Sequence, residues 1–282
     1  MNLSPPFLVD GDTVHLVSSA RAISQELIKL ATDELALHGL RALATTNLTA
    51  EDYQMAGSDV VRAAAVQEAI DSHESKAVLF MRGGYGTQRI IDRLDFSQFV
   101  KRPKWLIGFS DVTCLHSHLN NHLGVQSIHH AMASTFKATS RAALDGGYEM
   151  LKGGTKATTF TSVDVNVPGE ASGRLVGGNL SVIHTMIGTP SAFKAEGSIL
   201  FIEDLDEMLY HLDRMLLHMR RANQFDGLKG VLIGGFSEMR DNTKAHGFSS
   251  DNPFGKDAYG ILKEHLVGLG VPIADRAELR YL

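Results

Sequence analysis

Three short stretches carry residue types that could do chemistry. In Gly108-Phe109-Ser110-Asp111-Val112 a serine follows the apolar run Trp105-Leu106-Ile107 and precedes residues with helical spacing. A serine hydroxyl is a weak nucleophile at neutral pH; it needs a base for its proton and a pocket for the developing anion. A sharp strand-to-helix turn exposes such a side chain at the carboxyl end of a sheet and aims the next N–H, here that of Asp111, at the oxyanion. Val112 stands where the G-x-S-x-G motif has its second glycine, so that motif is not met. The simpler reading is that Ser110 is a helix N-cap. Thr113 occupies the position that a capping box fills with Glu or Gln. The fragment alone leaves both readings open.

The second stretch, Arg82-Gly83-Gly84-Tyr85-Gly86, also sits between an expected strand and an expected helix. Its backbone N–H groups could converge on an anion. It could equally be a tight turn that needs glycine for its backbone angles. No G-x-x-x-x-G-K-[ST] or G-x-G-x-x-G spacing occurs, which leaves a nucleotide site weakly supported. In the third, the apolar run Ile199-Leu200-Phe201-Ile202 ends in Glu203-Asp204. A carboxylate at the end of a strand can orient a histidine, or it can simply mark a solvated strand end.

The elements that would position these residues alternate. Thr13–Val17 predicts a buried strand, and a helix from about Ser24 to His38 follows, stopped by Gly39. Strands are expected at Leu40–Ala44, Ala77–Met81 and Trp105–Phe109, and helices at Val60–Ser72, Thr87–Leu94 and Asp111–Leu123. This alternation predicts an α/β fold, with an N-terminal, mostly parallel sheet flanked by helices. After about residue 155 the pattern changes. Thr158–Val167 alternates like an exposed or antiparallel strand, and Pro168-Gly169-Glu170 is a turn signal. Helices at Leu180–Ile187 and Met208–Ala222 and strands at Ser198–Ile202 and Gly230–Phe236 predict a second, C-terminal mixed α/β domain. The expected division is an N-terminal domain over 1–156, a linker over 157–170 and a C-terminal domain over 171–282.

A chain of 282 residues with 44% hydrophobic and 21% charged residues fits a soluble globular protein. The net charge is −5 and no long basic run occurs, which speaks against nucleic acid as partner. The single cysteine, Cys114, excludes an intramolecular disulfide and argues against a cysteine-built zinc site. No run of about eighteen apolar residues suggests a membrane span. The N-terminus MNLSPPFLVDGD lacks the pattern of a signal peptide, so a cytoplasmic location is expected.

Taken in order, RGGYG at 82–86, GFSD at 108–111, GGNL at 177–180, IGTP at 187–190 and IEDLDE at 202–207 resemble the LD-carboxypeptidases. This is the serine peptidase family of muramoyltetrapeptide carboxypeptidase and the microcin C self-immunity peptidases. The resemblance implies cleavage of an amide between an L-centre and a terminal D-residue, releasing D-alanine from murein tetrapeptide in cell-wall recycling. It implies Ser110 as nucleophile, Glu203 as the charge-relay carboxylate, and the N–H groups of Gly84 and Asp111 as oxyanion hole. Gly83, Tyr85 and Asn179 would contact substrate. It further implies a site built by both domains, a homodimer, and neither metal nor cofactor.

One family feature is not met. The resemblance places the catalytic histidine in a Gly-His element between Ala274 and the last strand, but no histidine follows His265. Either the base is lost or a loop bearing it is missing from the sequence between Ala274 and Asp275. His246 lies in a polar loop and reads as solvated. His129 and His130 follow an apolar strand; His130 and Ala131 stand where the family has Gly-Pro. His116, His118 and His122 are expected on the surface of the helix after Ser110, or in an interface. If the base is lost, the alternative function is a scaffold that binds murein peptides or aminoacyl-nucleotide conjugates without turnover.

Overall fold

The apolar runs Ala77–Phe80 and Trp105–Gly108 become strands buried at every position, as the centre of a parallel sheet requires. The computed structural model describes residues 3–155 and 165–275. The chain divides into two compact units, with the break between Ala157 and Thr158.

The first unit runs β1 (Thr13–Val17), α1 (Gln25–Leu37), β2 (Arg41–Ala44), α2 (Asp59–Asp71), β3 (Ala77–Phe80), α3 (Ser97–Lys101), β4 (Trp105–Gly108), α4 (Thr113–His118), β5 (Ile128–His129) and α5 (Arg141–Leu151). The five strands pair in the order β2-β1-β3-β4-β5, all parallel. Val14, Leu16, Leu79 and Ile107 of the sheet pack with Ala31 and Leu35 of α1 in one buried cluster. Each such aliphatic side chain contributes about 1.5–3 kcal/mol. The strand order reverses between β1 and β3, so their following loops diverge and leave a crevice at the carboxyl end of the sheet.

Two helices differ from expectation. Residues 87–94 form two tight 3₁₀ turns, Thr87–Arg89 and Ile91–Arg93, because the stretch is held by tertiary bonds at its start. Gly86 enters it at φ +136°, the Thr87 N–H is donated to Asp111, and Arg89 is paired with Asp59. The expected helix over 111–123 starts as a tight turn at Ser110–Val112 and becomes α4. It then widens to a π turn over Leu119–Leu123 before Gly124 at φ +67°.

The second unit runs β6 (Arg174–Asn179), α6 (Leu180–Thr185), β7 (Ser198–Leu205), α7 (Leu209–Arg221), β8 (Gly230–Ser237), α8 (Ala258–Leu266) and β9 (Ile273–Asp275). Its four strands are parallel and in chain order. Strand β7 continues three residues beyond Ile202, so Glu203-Asp204 is not a strand end. Of the strand expected at Thr158–Val167, residues 158–164 lie outside the described residues. Val167 makes an antiparallel bridge to Ile273, exchanging two 3.0 Å backbone bonds. Strand β9 includes Ala274 and Asp275, the point where the resemblance places the histidine element.

Gly177 shows why the motif at 177–179 needs glycine. It sits at φ +122°, and a Cβ there would fall 1.9 Å from the Phe201 carbonyl oxygen of β7. Gly177→Ala is therefore expected to destabilise the protein by roughly 3 kcal/mol or more, since overlap with rigid backbone adds to the unfavourable angle. Urea unfolding measures this; an unchanged midpoint would contradict the close approach of β6 and β7.

Candidate active site

Ser110 begins where β4 stops. Its backbone lies at φ +57°, in the left-handed region that costs a non-glycine residue about 1–2 kcal/mol. Ser110 is half-buried, and Asp111 behind it is buried. Its side chain caps no helix N–H, so the N-cap reading fails. A strained serine between strand and helix is the backbone form of a nucleophile elbow.

The Arg82–Gly86 turn follows β3, the neighbour of β4, and comes against this serine. A Cβ on Gly83 would lie 3.3 Å from Ser110 Cβ and 3.4 Å from its Oγ. Gly83 is buried, Gly84 is exposed at φ +114°, and the Tyr85 side chain is exposed. The two turns are tied directly: the Thr87 N–H donates to Asp111 Oδ2 at 2.8 Å. Among the described residues, the N–H groups of Gly84 and Asp111 donate to no backbone carbonyl in the loop hydrogen bonds. Gly83, Gly84, Tyr85, Ser110 and Asp111 thus lie together at the carboxyl end of one sheet.

Arg62, which sequence reasoning did not single out as a site residue, holds this turn. It is fully buried on α2. Its guanidinium donates to the carbonyls of Ser19 and Gly86, each at 2.7 Å, and to that of Gly57 at 3.2 Å, and pairs with Asp59. A buried charge is tolerated when its donors are satisfied in this way. Its position between Val60-Val61 and Ala63-Ala64-Ala65 was the available signal.

In the second unit, Asn179 and Glu203 are register partners on β6 and β7. Alternation along β7 turns Asp204 to the buried face and leaves Glu203 half-buried on the other. Asn179 caps α6 and donates from Nδ2 to Asp204 Oδ1 at 2.9 Å. Asp204 also accepts the Ser181 and Leu205 N–H groups, each at 2.9 Å. Its partners let the strand continue past the acidic pair. Burial, with the Asp204 charge beside it, pushes the Glu203 carboxyl up to about 8, against an opposing hydrogen bond from Asn179. Glu203 Oε1 is buried and has no hydrogen-bond partner. It is an acceptor placed to receive one donor.

The histidines near Ser110 are structural. His116 is buried, which corrects the expectation of a surface residue. Its ring bonds Ser127 Oγ at 2.8 Å and the Gly108 carbonyl at 2.9 Å, and burial holds it down to about 4. Burial also holds His129 down to about 3, with His116 and His130 adding to the effect. His118 is half-buried with its ring 5.2 Å from that of Phe96, and His122 is exposed. His246 is exposed and its Nδ1 is engaged by Thr243 Oγ1 at 3.0 Å. His265 is buried against Asp213 Oδ1 at 2.9 Å. Cys114 is fully buried and its thiol is raised by that burial, so it is no competing nucleophile. Among the described residues no group of three or more His, Cys, Asp or Glu could hold a metal, and no helix is long and apolar enough to cross a membrane.

A parallel sheet with a serine on a strained strand-to-helix turn defines an α/β scaffold of the kind that carries acyl-transfer sites. Comparison with known proteins gives the family. The LD-carboxypeptidase N-terminal domain matches residues 14–130 and the LD-carboxypeptidase C-terminal domain matches residues 172–279, and the chain belongs to the LD-carboxypeptidase family. It is 32% identical to the "Probable murein peptide carboxypeptidase" of Bacillus subtilis, over 96% of this chain and 84% of that one. It is 28% identical to the murein tetrapeptide carboxypeptidase of Pseudomonas aeruginosa, over 90% and 85%. Among solved structures, muramoyltetrapeptide carboxypeptidase from Oxalobacter formigenes superposes with a TM-score of 0.81 at 26% identity, over 93% of this chain and 87% of that one. The microcin C7 self-immunity protein MccF shares the fold, with a TM-score of 0.78 at 19% identity, over 97% and 89%.

Proposed function

We propose that this protein is a serine LD-carboxypeptidase that releases terminal D-alanine from murein tetrapeptide in cell-wall recycling. The observation that carries the reading is the left-handed Ser110, held against Gly83 at the carboxyl end of the sheet. The names of the relatives support the substrate class. In the proposed reaction Ser110 Oγ bonds to the scissile carbonyl carbon and its proton passes to a general base, the part that a histidine imidazole plays in serine triads. The N–H groups of Gly84 and Asp111 stabilise the oxyanion. The C–N bond breaks and the leaving amine takes that proton. Water then hydrolyses the ester and restores Ser110. Glu203 Oε1 accepts the other N–H of the imidazole and stabilises its cationic form. Gly83, Tyr85 and Asn179 contact the peptide. The proposal uses no metal or cofactor and has the protein act as a cytoplasmic homodimer.

A second reading has a specific observation in its favour. Glu203 Oε1 is buried and has no hydrogen-bond partner, as on a scaffold without its base. Without a base the same scaffold would bind murein peptides or aminoacyl-nucleotide conjugates without turnover. Incubation with murein tetrapeptide, with and without added imidazole, separates the two. Hydrolysis without imidazole supports the enzyme. Hydrolysis only with imidazole identifies a scaffold that lacks its base, and binding without release in both supports the second reading.

A further inference from the structure

We infer that Arg21 recognises the free terminal carboxylate of the residue to be released, its guanidinium pairing with that group beside Gly84. The inference rests on the proposed roles of Ser110 and Gly84.

Arg21 follows β1 and Gly84 follows β3, the two strands between which the order of the sheet reverses. Ligands of open α/β sheets bind in the crevice at that point. The loop after β1 is held there by backbone bonds: Ala22 N–H donates to Gln54 O at 3.0 Å, and Ala56 N–H donates to Ala20 O at 2.9 Å. The Arg21 side chain lies over Gly84 so closely that a Cβ on Gly84 would fall 2.7 Å from its Cδ and Nε. Together with φ +114° this contact accounts for glycine at position 84.

A cleft of about 420 Å³ opens at this place, lined by Arg21, Arg82, Ser24, Glu51, Tyr53 and Gln54. Arg82 is committed to the loop, donating from Nη1 to Ala22 O at 3.2 Å. Arg21 is not: its Nε is buried and has no hydrogen-bond partner. Among the described residues neither guanidinium forms an ion pair with a carboxylate. Two guanidiniums against the single exposed carboxylate of Glu51 leave the cleft positive. A buried guanidinium N–H without a partner is a standing cost that an anionic ligand removes.

The covalent geometry of a peptide says which anion fits. The terminal carboxylate carbon lies three bonds beyond the scissile carbonyl carbon, roughly 3–4 Å away. If the oxyanion is held by the Gly84 N–H, that carboxylate falls within reach of the side chain lying over Gly84. A positive group here would also separate a carboxypeptidase from an endopeptidase, whose substrate has an amide at the same place.

The test compares three murein tetrapeptides: one ending in D-alanine, one ending in D-alaninamide, and one amidated only at its internal carboxylates. The substitutions are Arg21→Met, which keeps the apolar stem, and Arg21→Lys, which keeps the charge. The parent is expected to favour D-alanine over D-alaninamide by about 10–10²-fold in kcat/KM, the range of a charge-assisted hydrogen bond. Arg21→Met should lose that factor on the D-alanine peptide and leave the D-alaninamide peptide unchanged, and Arg21→Lys should retain part of it. An equal loss on both peptides, an undiminished preference, or a parent that responds instead to the internal carboxylates would overturn the assignment. Calorimetric titration of the Ser110→Ala protein, with and without Arg21→Met, reads the same preference without turnover. Selective binding of the D-alanine peptide with no hydrolysis by the parent would keep the subsite and end the hydrolytic reading. Equal hydrolysis of both peptides would do the reverse, and neither binding nor hydrolysis would end both.

Discussion

Ser110→Ala is expected to lower D-alanine release by about 10⁴-fold or more, leaving only what binding and the oxyanion donors supply. The variant should fold, because the hydroxyl caps no helix. Backbone strain gives an independent readout. Alanine inherits the left-handed conformation at φ +57°, whereas glycine does not resist it. Ser110→Gly should therefore be more stable than Ser110→Ala by about 1 kcal/mol in urea unfolding, and equally inactive. A glycine variant less stable than the alanine variant would mean that residue 110 is not strained.

Glu203→Gln should cost several orders of magnitude in kcat, about 10⁴-fold, with a smaller change in KM, because its charge is needed most when the imidazole is cationic. The same substitution should stabilise the fold at alkaline pH. The Glu203 carboxyl is pushed up to about 8 in the folded protein from an ordinary value of 4.5. Between these two values the unfolded chain has released a proton that the folded chain keeps, so stability falls as pH rises through the window. Glutamine removes that loss. The variant is expected to exceed the parent by about 1–3 kcal/mol at pH 8, with the difference fading towards pH 4. Urea midpoints across that range measure it. A variant less stable at pH 8 would show that the folded protein already holds Glu203 ionised and satisfied.

The parts of this fold that were legible in the sequence are those where one run of residues decides its own structure. Trp105–Ile107 is apolar throughout, and Thr13–Val17 carries Val14, Leu16 and Val17; both become strands of the first sheet. Elements that depend on distant partners were harder to read. Helix α5 contains Gly146-Gly147, which looks like a break. Gly147 is there because the His130 ring occupies the space, 2.0 Å from where a Cβ would be. Strand β6 ends in Gly177-Gly178-Asn179, which looks like a turn until the close approach of β7 is known. Glu203-Asp204 looked like a strand end because the Asn179 and Ser181 donors that satisfy Asp204 lie more than twenty residues earlier. The candidate site divides in the same way. Ser110 and the glycine turn could be read from local pattern, whereas Arg21 and Arg62 matter only through the loops they meet.

The most direct measurement is a time course of free D-alanine from murein tetrapeptide, with the parent protein and Ser110→Ala side by side. Ser110 as nucleophile of an LD-carboxypeptidase requires stoichiometric excess of D-alanine over the parent protein and none above background with the variant. Tetrapeptide that stays intact with the parent, or release that proceeds equally with the variant, would contradict it.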